Sequence, residues 1–125
     1  MTTAKSNAPA KPLMLETRAH QRFILLTPRK LRRVLDAIRG KKVIEAYQML
    51  RLMPYSAAPI VLKKLIEAIH NAKQQINASP EELIVSLACA DEGPRYRRFK
   101  PRAQGRVYRR ERRTSHLTLA VGKPV

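Results

Sequence analysis

Between Arg95 and Arg113, ten of nineteen residues are Lys or Arg, nine of those ten are Arg, and the only acid is Glu111. Tyr96, Phe99 and Tyr108 lie among the charges. A guanidinium is a planar fork of donors that bridges phosphate oxygens and stacks on flat rings, whereas an ammonium acts as a point charge. Aromatic faces between such forks suit unstacked bases. The chemistry this mixture supports is non-covalent capture of a polyanion. Arg95, Arg97, Arg98, Lys100, Arg102, Arg106, Arg109, Arg110, Arg112 and Arg113 would supply the cations. A second basic group comprises Arg29, Lys30, Arg32 and Arg33, with Arg18 and Arg22 before it and Lys41 and Lys42 after it.

Bond-making chemistry has little support. His20, His70 and His116 are scattered, with no Ser, Cys or carboxylate at motif spacing. Glu81-Glu82 and Asp91-Glu92 are adjacent pairs, which strand alternation would send to opposite faces. There is no GxxxxGK[ST], no GxGxxG and no His/Cys cluster with metal spacing, so no catalytic residue, metal ligand or cofactor is expected.

Composition points the same way. The chain has 125 residues, enough for one domain, and a formal net charge of +17. Such a surface repels itself and favours a polyanionic partner, since counterion release from phosphate drives binding. A 44% hydrophobic content is too high for a disordered chain and requires a core. Apolar runs such as Phe23-Ile24-Leu25-Leu26 fall far short of the roughly 20 residues that cross a bilayer. Residues 1–12 hold no apolar signal segment, and a lone Cys89 suggests a reducing compartment. A soluble, intracellular protein is expected.

These residues need elements to position them. Residues 1–13 read as a flexible tail before a single domain over 14–125. Glu16 to Leu26 reads as a strand, with Ala19, Phe23 and Leu25 on one face and Arg18, His20 and Arg22 on the other. Thr27-Pro28 opens a helix to Arg39, with Leu31, Val34, Leu35 and Ile38 at helical spacing and Gly40 as its stop. A short helix follows over Val43 to Leu52. Ser56 then caps a long one over about 57–76, whose buried stripe is Val61, Leu65, Ala68, Ile69, Ala72 and Ile76. Ser79-Pro80-Glu81-Glu82 fits a capping box with a single helical turn.

The remainder reads as β. Leu83, Val85, Leu87 and Cys89 alternate with Ile84, Ser86, Ala88 and Ala90, Cys89 packing in the core, and Leu117, Leu119 and Val121 alternate with His116, Thr118 and Ala120. Antiparallel pairing of these segments centres the hairpin turn near position 102, where Pro101 and Gly105 supply turn chemistry. Gly93-Pro94 then becomes a bend or bulge within the outgoing leg. The result is a protruding arm over about 91–113, roughly 40 Å long at about 3.3 Å per residue. Such a ribbon has too little hydrophobic cover to order itself alone, so its partner is expected to order it.

Three classes of partner fit the charge. A membrane surface fits worst, since there is no Trp and no basic helix with a bulky aromatic face. An architectural DNA-binding protein with an Arg-rich ribbon is the alternative to an RNA-binding scaffold. A helix-turn-helix around Gly40 is disfavoured, because Glu45, Gln48 and Arg51 form a poor base-reading face.

Four separated motifs resemble one family. Thr-Pro-Arg-Lys-Leu-Arg-Arg-Val-Leu-Asp-Ala-Ile-Arg-Gly-Lys (27–41), Asp-Glu-Gly-Pro (91–94), Arg-Phe-Lys-Pro-Arg-Ala-Gln-Gly-Arg (98–106) and Arg-Thr-Ser-His-Leu-Thr (113–118) are similar to the bacterial-type large-subunit ribosomal protein numbered twenty-two. The resemblance spans about 18–121. It implies an α+β fold, with three helices packed on a three-stranded antiparallel sheet and a long protruding β-hairpin. It implies a structural constituent of the large ribosomal subunit that binds several domains of large-subunit rRNA, supports assembly and lines the nascent-peptide exit tunnel. Tyr96, Arg97, Arg98, Arg102, Ala103, Gln104, Gly105 and Arg106 would line the tunnel, with Arg102, Gln104 and Arg106 near its constriction and Tyr96, Arg97 and Arg98 where family members influence macrolide action. The implied partners are rRNA, neighbouring ribosomal proteins and the nascent chain, with no membrane and no homo-oligomer. The implied location is the cytoplasm, or the stroma for a plastid source.

Overall fold

Leu117, Leu119 and Val121 are fully buried, and the strand that carries them is the middle of a three-stranded sheet. The computed structural model describes residues 14–124, so the expected tail over 1–13 lies outside the described residues. Chain order is β1 (Met14–Ile24), α1 (Pro28–Ile38), α2 (Val43–Leu52), α3 (Ala58–Gln75), a 3-10 turn (Pro80–Glu82), β2 (Ile84–Pro101), a second 3-10 turn (Ala103–Gly105) and β3 (Val107–Pro124). The sheet order is β1-β3-β2 with both pairings antiparallel. The expected fold class, three helices on a three-stranded antiparallel sheet, holds.

Helical spacing accounts for the packing. Leu31, Val34, Leu35 and Ile38 of α1, Val43, Ala46 and Leu50 of α2, and Val61, Leu65, Ala68 and Ala72 of α3 bury one stripe each. Ile69 and Ile76 pack on that core while only partly buried. The sheet contributes the rows Thr17–Val121–Val85 and Ala19–Leu119–Ala88. Fully burying a Leu or Val side chain contributes about 1.5–3 kcal/mol, so this face holds the body together.

Capping differs from the sequence reading. Thr27 is the N-cap of α1 but makes no side-chain hydrogen bond, and the same is true of Ser79 before the 3-10 turn. Ala57, not Ser56, is the N-cap of α3, and the helix is entered through a turn closed by Ala58 N–H on the Tyr55 carbonyl at 3.1 Å. Gly40 does end α1, with φ 78 that a side chain would strain. Its N–H donates to the Val85 carbonyl at 3.0 Å, and Val85 N–H returns to the Lys41 carbonyl at 2.9 Å.

Two irregularities in the strands correct the expected faces, and a third falls at Gly93-Pro94, where a bend or bulge was expected. A register shift lies between Gln21 and Ile24, and Phe23 takes φ 59 there. Ile24 therefore enters the core, while Phe23 and Leu25, expected inside, are exposed. In β2, Ser86 is an extra residue between the pairs Val85↔Val121 and Leu87↔Ala120. Alternation changes phase there. Ala88 and Ala90 go inward, Leu87 turns out, and Cys89 is only partly buried rather than a core residue. A second bulge lies at Gly93-Pro94, between Glu92↔Ser115 and Arg95↔Arg113. Each bulge adds one residue to β2, so the turn falls at Ala103–Gly105 rather than on 102.

Gly93 is where body becomes arm. A Cβ there would sit 2.5 Å from Thr114 Oγ1, whose hydroxyl donates to the Pro94 carbonyl at 2.7 Å. β1 ends its pairing at Ile24↔Ser115, so from Arg95↔Arg113 to Pro101↔Val107 the arm is a two-stranded ribbon.

Candidate nucleic-acid interface

The ribbon's register sorts its side chains. Directly paired residues share a face, so Tyr96 with Arg112, Arg98 with Arg110, and Lys100 with Tyr108 stand on one side. That side has cations and rings and no acid. The other side carries Arg95 with Arg113, Arg97 with Glu111, Phe99 with Arg109, and Pro101 with Val107. Here Glu111 accepts from Arg95 Nη1 at 3.3 Å, and Glu92 stands 3.8 Å from Arg95 Nη2. Phe99 is 70% exposed and Val107 62%, an apolar end that none of the described residues covers.

Arg112 Nη2 donates to the Leu25 carbonyl at 3.1 Å and fastens the arm's base to the end of β1. Beyond it, Arg97, Arg98, Lys100, Arg106, Arg109, Arg110 and Arg113 have no side-chain hydrogen bond or ion pair among the described residues. At the tip, Arg102 N–H donates to the Arg106 carbonyl at 2.6 Å, and Gln104 and Gly105 take φ 60 and 75. The Arg102 guanidinium lies 5.5 Å from the Tyr108 ring centroid. Arg102, Ala103, Gln104, Arg106 and Tyr108 line an open cavity of about 460 Å³.

The second basic group divides. Arg32 directs Nε and Nη2 to the Ala90 carbonyl at 3.2 and 3.0 Å, and Arg39 directs the same two atoms to the Ala88 carbonyl at 3.2 and 2.6 Å. β2 is an edge strand, and these forks satisfy carbonyls that no neighbouring strand reaches. Arg33 stacks over Tyr55 at 4.3 Å, and the Lys41-Lys42 turn is bridged to β2 at Lys42↔Ile84. Arg29 and Lys30 stand in the first turn of α1, where there is no acid. Cations at that end oppose the helix dipole, and with Pro28 lacking an N–H and the Lys30 N–H on the Thr27 carbonyl at 3.2 Å, the Arg29 N–H is left without a helical partner. An anion at the α1 N-terminus would relieve both.

Arg18 lies on the sheet face away from the helices, in the row Arg18–Ala120–Leu87, next to the row His20–Thr118–Cys89. Arg22 joins His20, Phe23, Asp91, His116 and Thr118 around a cavity of about 280 Å³. Sequence reasoning left His20, His116 and Asp91 apart. The pairings Asp91↔His116 and His20↔Thr118 bring them together, and strand register was the signal that could have found them. His70 remains separate on α3. Among the described residues no group of His, Cys, Asp and Glu could hold a metal ion, and no helix is long and apolar enough to cross a membrane.

Residues 19–122 match the family model described as Ribosomal protein L22p/L17e. The chain is 47% identical over 107 residues to "Large ribosomal subunit protein uL22" of Clostridium novyi (strain NT), covering 86% of this chain and 96% of that protein. It is 50% identical over 103 residues to the protein of the same name from Acaryochloris marina (strain MBIC 11017), covering 82% and 86%. A third, from Synechococcus sp. (strain ATCC 27144 / PCC 6301 / SAUG 1402/1), is 44% identical over 110 residues, covering 88% and 94%. The matched span takes in all three helices and the whole ribbon, and the chain belongs to the Ribosomal protein L22p/L17e family, whose members are structural rather than enzymatic.

Proposed function

We propose that this chain is a structural constituent of the large ribosomal subunit, that it holds large-subunit rRNA through the arm and the α1 face, and that the tip lines the nascent-peptide exit tunnel. The observation that carries this reading is the ribbon itself. Seven of its cations have no protein partner among the described residues, and they flank exposed rings. A surface of that kind stays uncompensated until phosphate meets it. RNA is favoured over DNA by the family relationship, and the relatives are named for the large ribosomal subunit. Arg29, Lys30, Arg33, Lys41, Lys42, Arg18 and Arg22 would add contacts from the body. Arg32 keeps Nη1 for a phosphate while its other donors hold Ala90.

The test is incorporation. The chain should co-sediment with the large subunit at physiological salt. Charge reversal at Arg29 and Lys30, which make no side-chain hydrogen bond or ion pair among the described residues, should impair incorporation, because like charges then face phosphate. Deleting Tyr96-Arg97-Arg98 shortens one leg and displaces the tip while leaving the body's contacts. Incorporation should survive that deletion, and the response to macrolides should change. A deletion that abolishes incorporation while the reversals do not would overturn this division of labour.

A further inference from the structure

The cavity between the end of β1 and the open sheet face has an unusual lining for so basic a molecule. Asp91 stands in it, and no ion pair or side-chain hydrogen bond engages its carboxylate among the described residues. Beside it are Arg22, His20 and two rings. Phe23 is 58% exposed and is held outward by the bulge at φ 59, a conformation that costs a bulky side chain energy. The bulge is fixed from across the sheet. Phe23 N–H donates to His116 Nδ1 at 3.1 Å, and the two rings meet edge to face at 5.1 Å and 89°. His20 Nδ1 lies 3.1 Å from Thr118 Oγ1, so it too is positioned. A strained aromatic residue, a free carboxylate and an arginine thus converge on a space of about 280 Å³, at the small end of the roughly 300–1,000 Å³ of drug-sized ligand pockets.

We propose that this cavity takes a single unstacked guanine base from RNA. The base would lie on the Phe23 ring. Asp91 would accept from guanine N1–H and the N2 amino group, two adjacent donors that match the two carboxylate oxygens. Arg22 would donate to O6 and N7, the acceptors guanine presents to arginine. Adenine and cytosine offer one exocyclic amino group and no neighbouring ring N–H, and uracil offers a lone N–H between two acceptors, so each leaves part of this set unpaired. The inference rests on the RNA-binding reading but adds a base-selective site on the body, at the foot of the arm.

The experiment titrates the full chain with labelled uridine hexamers carrying one central G, A or C, beside the all-uridine hexamer, at one fixed salt concentration. The G hexamer should bind about ten-fold tighter than the others, and the Phe23 and His116 amide signals should shift with it. Asp91→Asn should cut that preference to within about two-fold. It should also raise affinity for the all-uridine hexamer, since one negative charge is lost from a cationic surface. Phe23→Asn keeps a residue that tolerates the left-handed backbone and should weaken the G hexamer about five-fold or more. Equal affinity for all four hexamers, or a G preference that survives both substitutions, overturns the pocket. Failure of even the all-uridine hexamer to bind would instead overturn the RNA-binding reading itself.

Discussion

Arginines on α1 and arginines on the arm differ in what holds them. Arg32 and Arg39 are forked onto carbonyls of an edge strand, and Arg33 rests on Tyr55. Arg97, Arg98, Arg109 and Arg110 stand on a ribbon with no partner in the chain among the described residues. A net charge of +17 is therefore two populations. One fastens the fold and is partly neutralised by backbone dipoles; the other waits for an external anion. The same side chain does either, depending on whether a helix packed on the sheet holds it against an edge-strand carbonyl.

The comparison breaks most visibly at the arm. Replacing Arg97, Arg98, Arg109 and Arg110 together by Ala should lower RNA affinity at physiological salt by about a hundred-fold or more, while stability changes by less than about 0.5 kcal/mol. If some eight phosphates are neutralised in the parent, the slope of log K against log salt should halve, from roughly −6 or −7 to about −3. Filter binding across a salt series measures this, and an unchanged slope would show that these residues meet no phosphate.

The opposite signature should come from Arg39→Met, which keeps the alkyl stem and loses the fork on Ala88. The Arg39 side chain is 46% exposed, so water compensates part of the loss, and about 1 kcal/mol of stability should go. Urea unfolding reads that cost, and the RNA salt slope should stay within about one unit of the parent's. A large fall in affinity without a stability change would place Arg39 in the other population.

The smallest effect concerns an ion pair between the body's elements. Lys123 Nζ lies 2.9 Å from Glu82 Oε2, and the hydrogen bond and charge of Lys123 hold the Glu82 carboxyl below its ordinary range. A lowered folded value means that this contribution is present above the ordinary carboxylate range and fades as pH falls through the folded value. In Lys123→Met the Glu82 titration, followed by NMR, should return toward the ordinary range. No change would mean that the pair does not persist in solution.

Much of this was legible in the sequence because periodicity reports burial. The stripes of α1, α2 and α3 and the core face of β3 follow from spacing alone. What was not legible came from two of the three places where the period is interrupted. Neither Ser86 nor the Arg22-Phe23 step announces a bulge by composition, yet each inverts every side chain beyond it, which moved Leu87, Cys89, Phe23 and Leu25 outward. Gly93-Pro94 did announce itself, since Gly and Pro are poor ladder residues. The anchoring of Arg32 and Arg39 was hidden for another reason: a fork onto an edge carbonyl depends on sheet order, which no local pattern encodes.

Because β1 leaves β3 at Ser115, both long sides of the ribbon present unpaired backbone donors and acceptors. Open edges of this kind are templates on which a second copy could zip, strand to strand, into a growing intermolecular sheet. No third strand, proline screen or covering loop protects the distal arm among the described residues beyond Pro101 at its end. Protection falls to mutual repulsion. Two free arms approaching edge to edge would bring ten cations against ten with a single acid on each. The charge density thus keeps newly made copies apart until they find their place. It lapses wherever salt screens it within a few ångströms, and the RNA partner proposed above would then take over the guard.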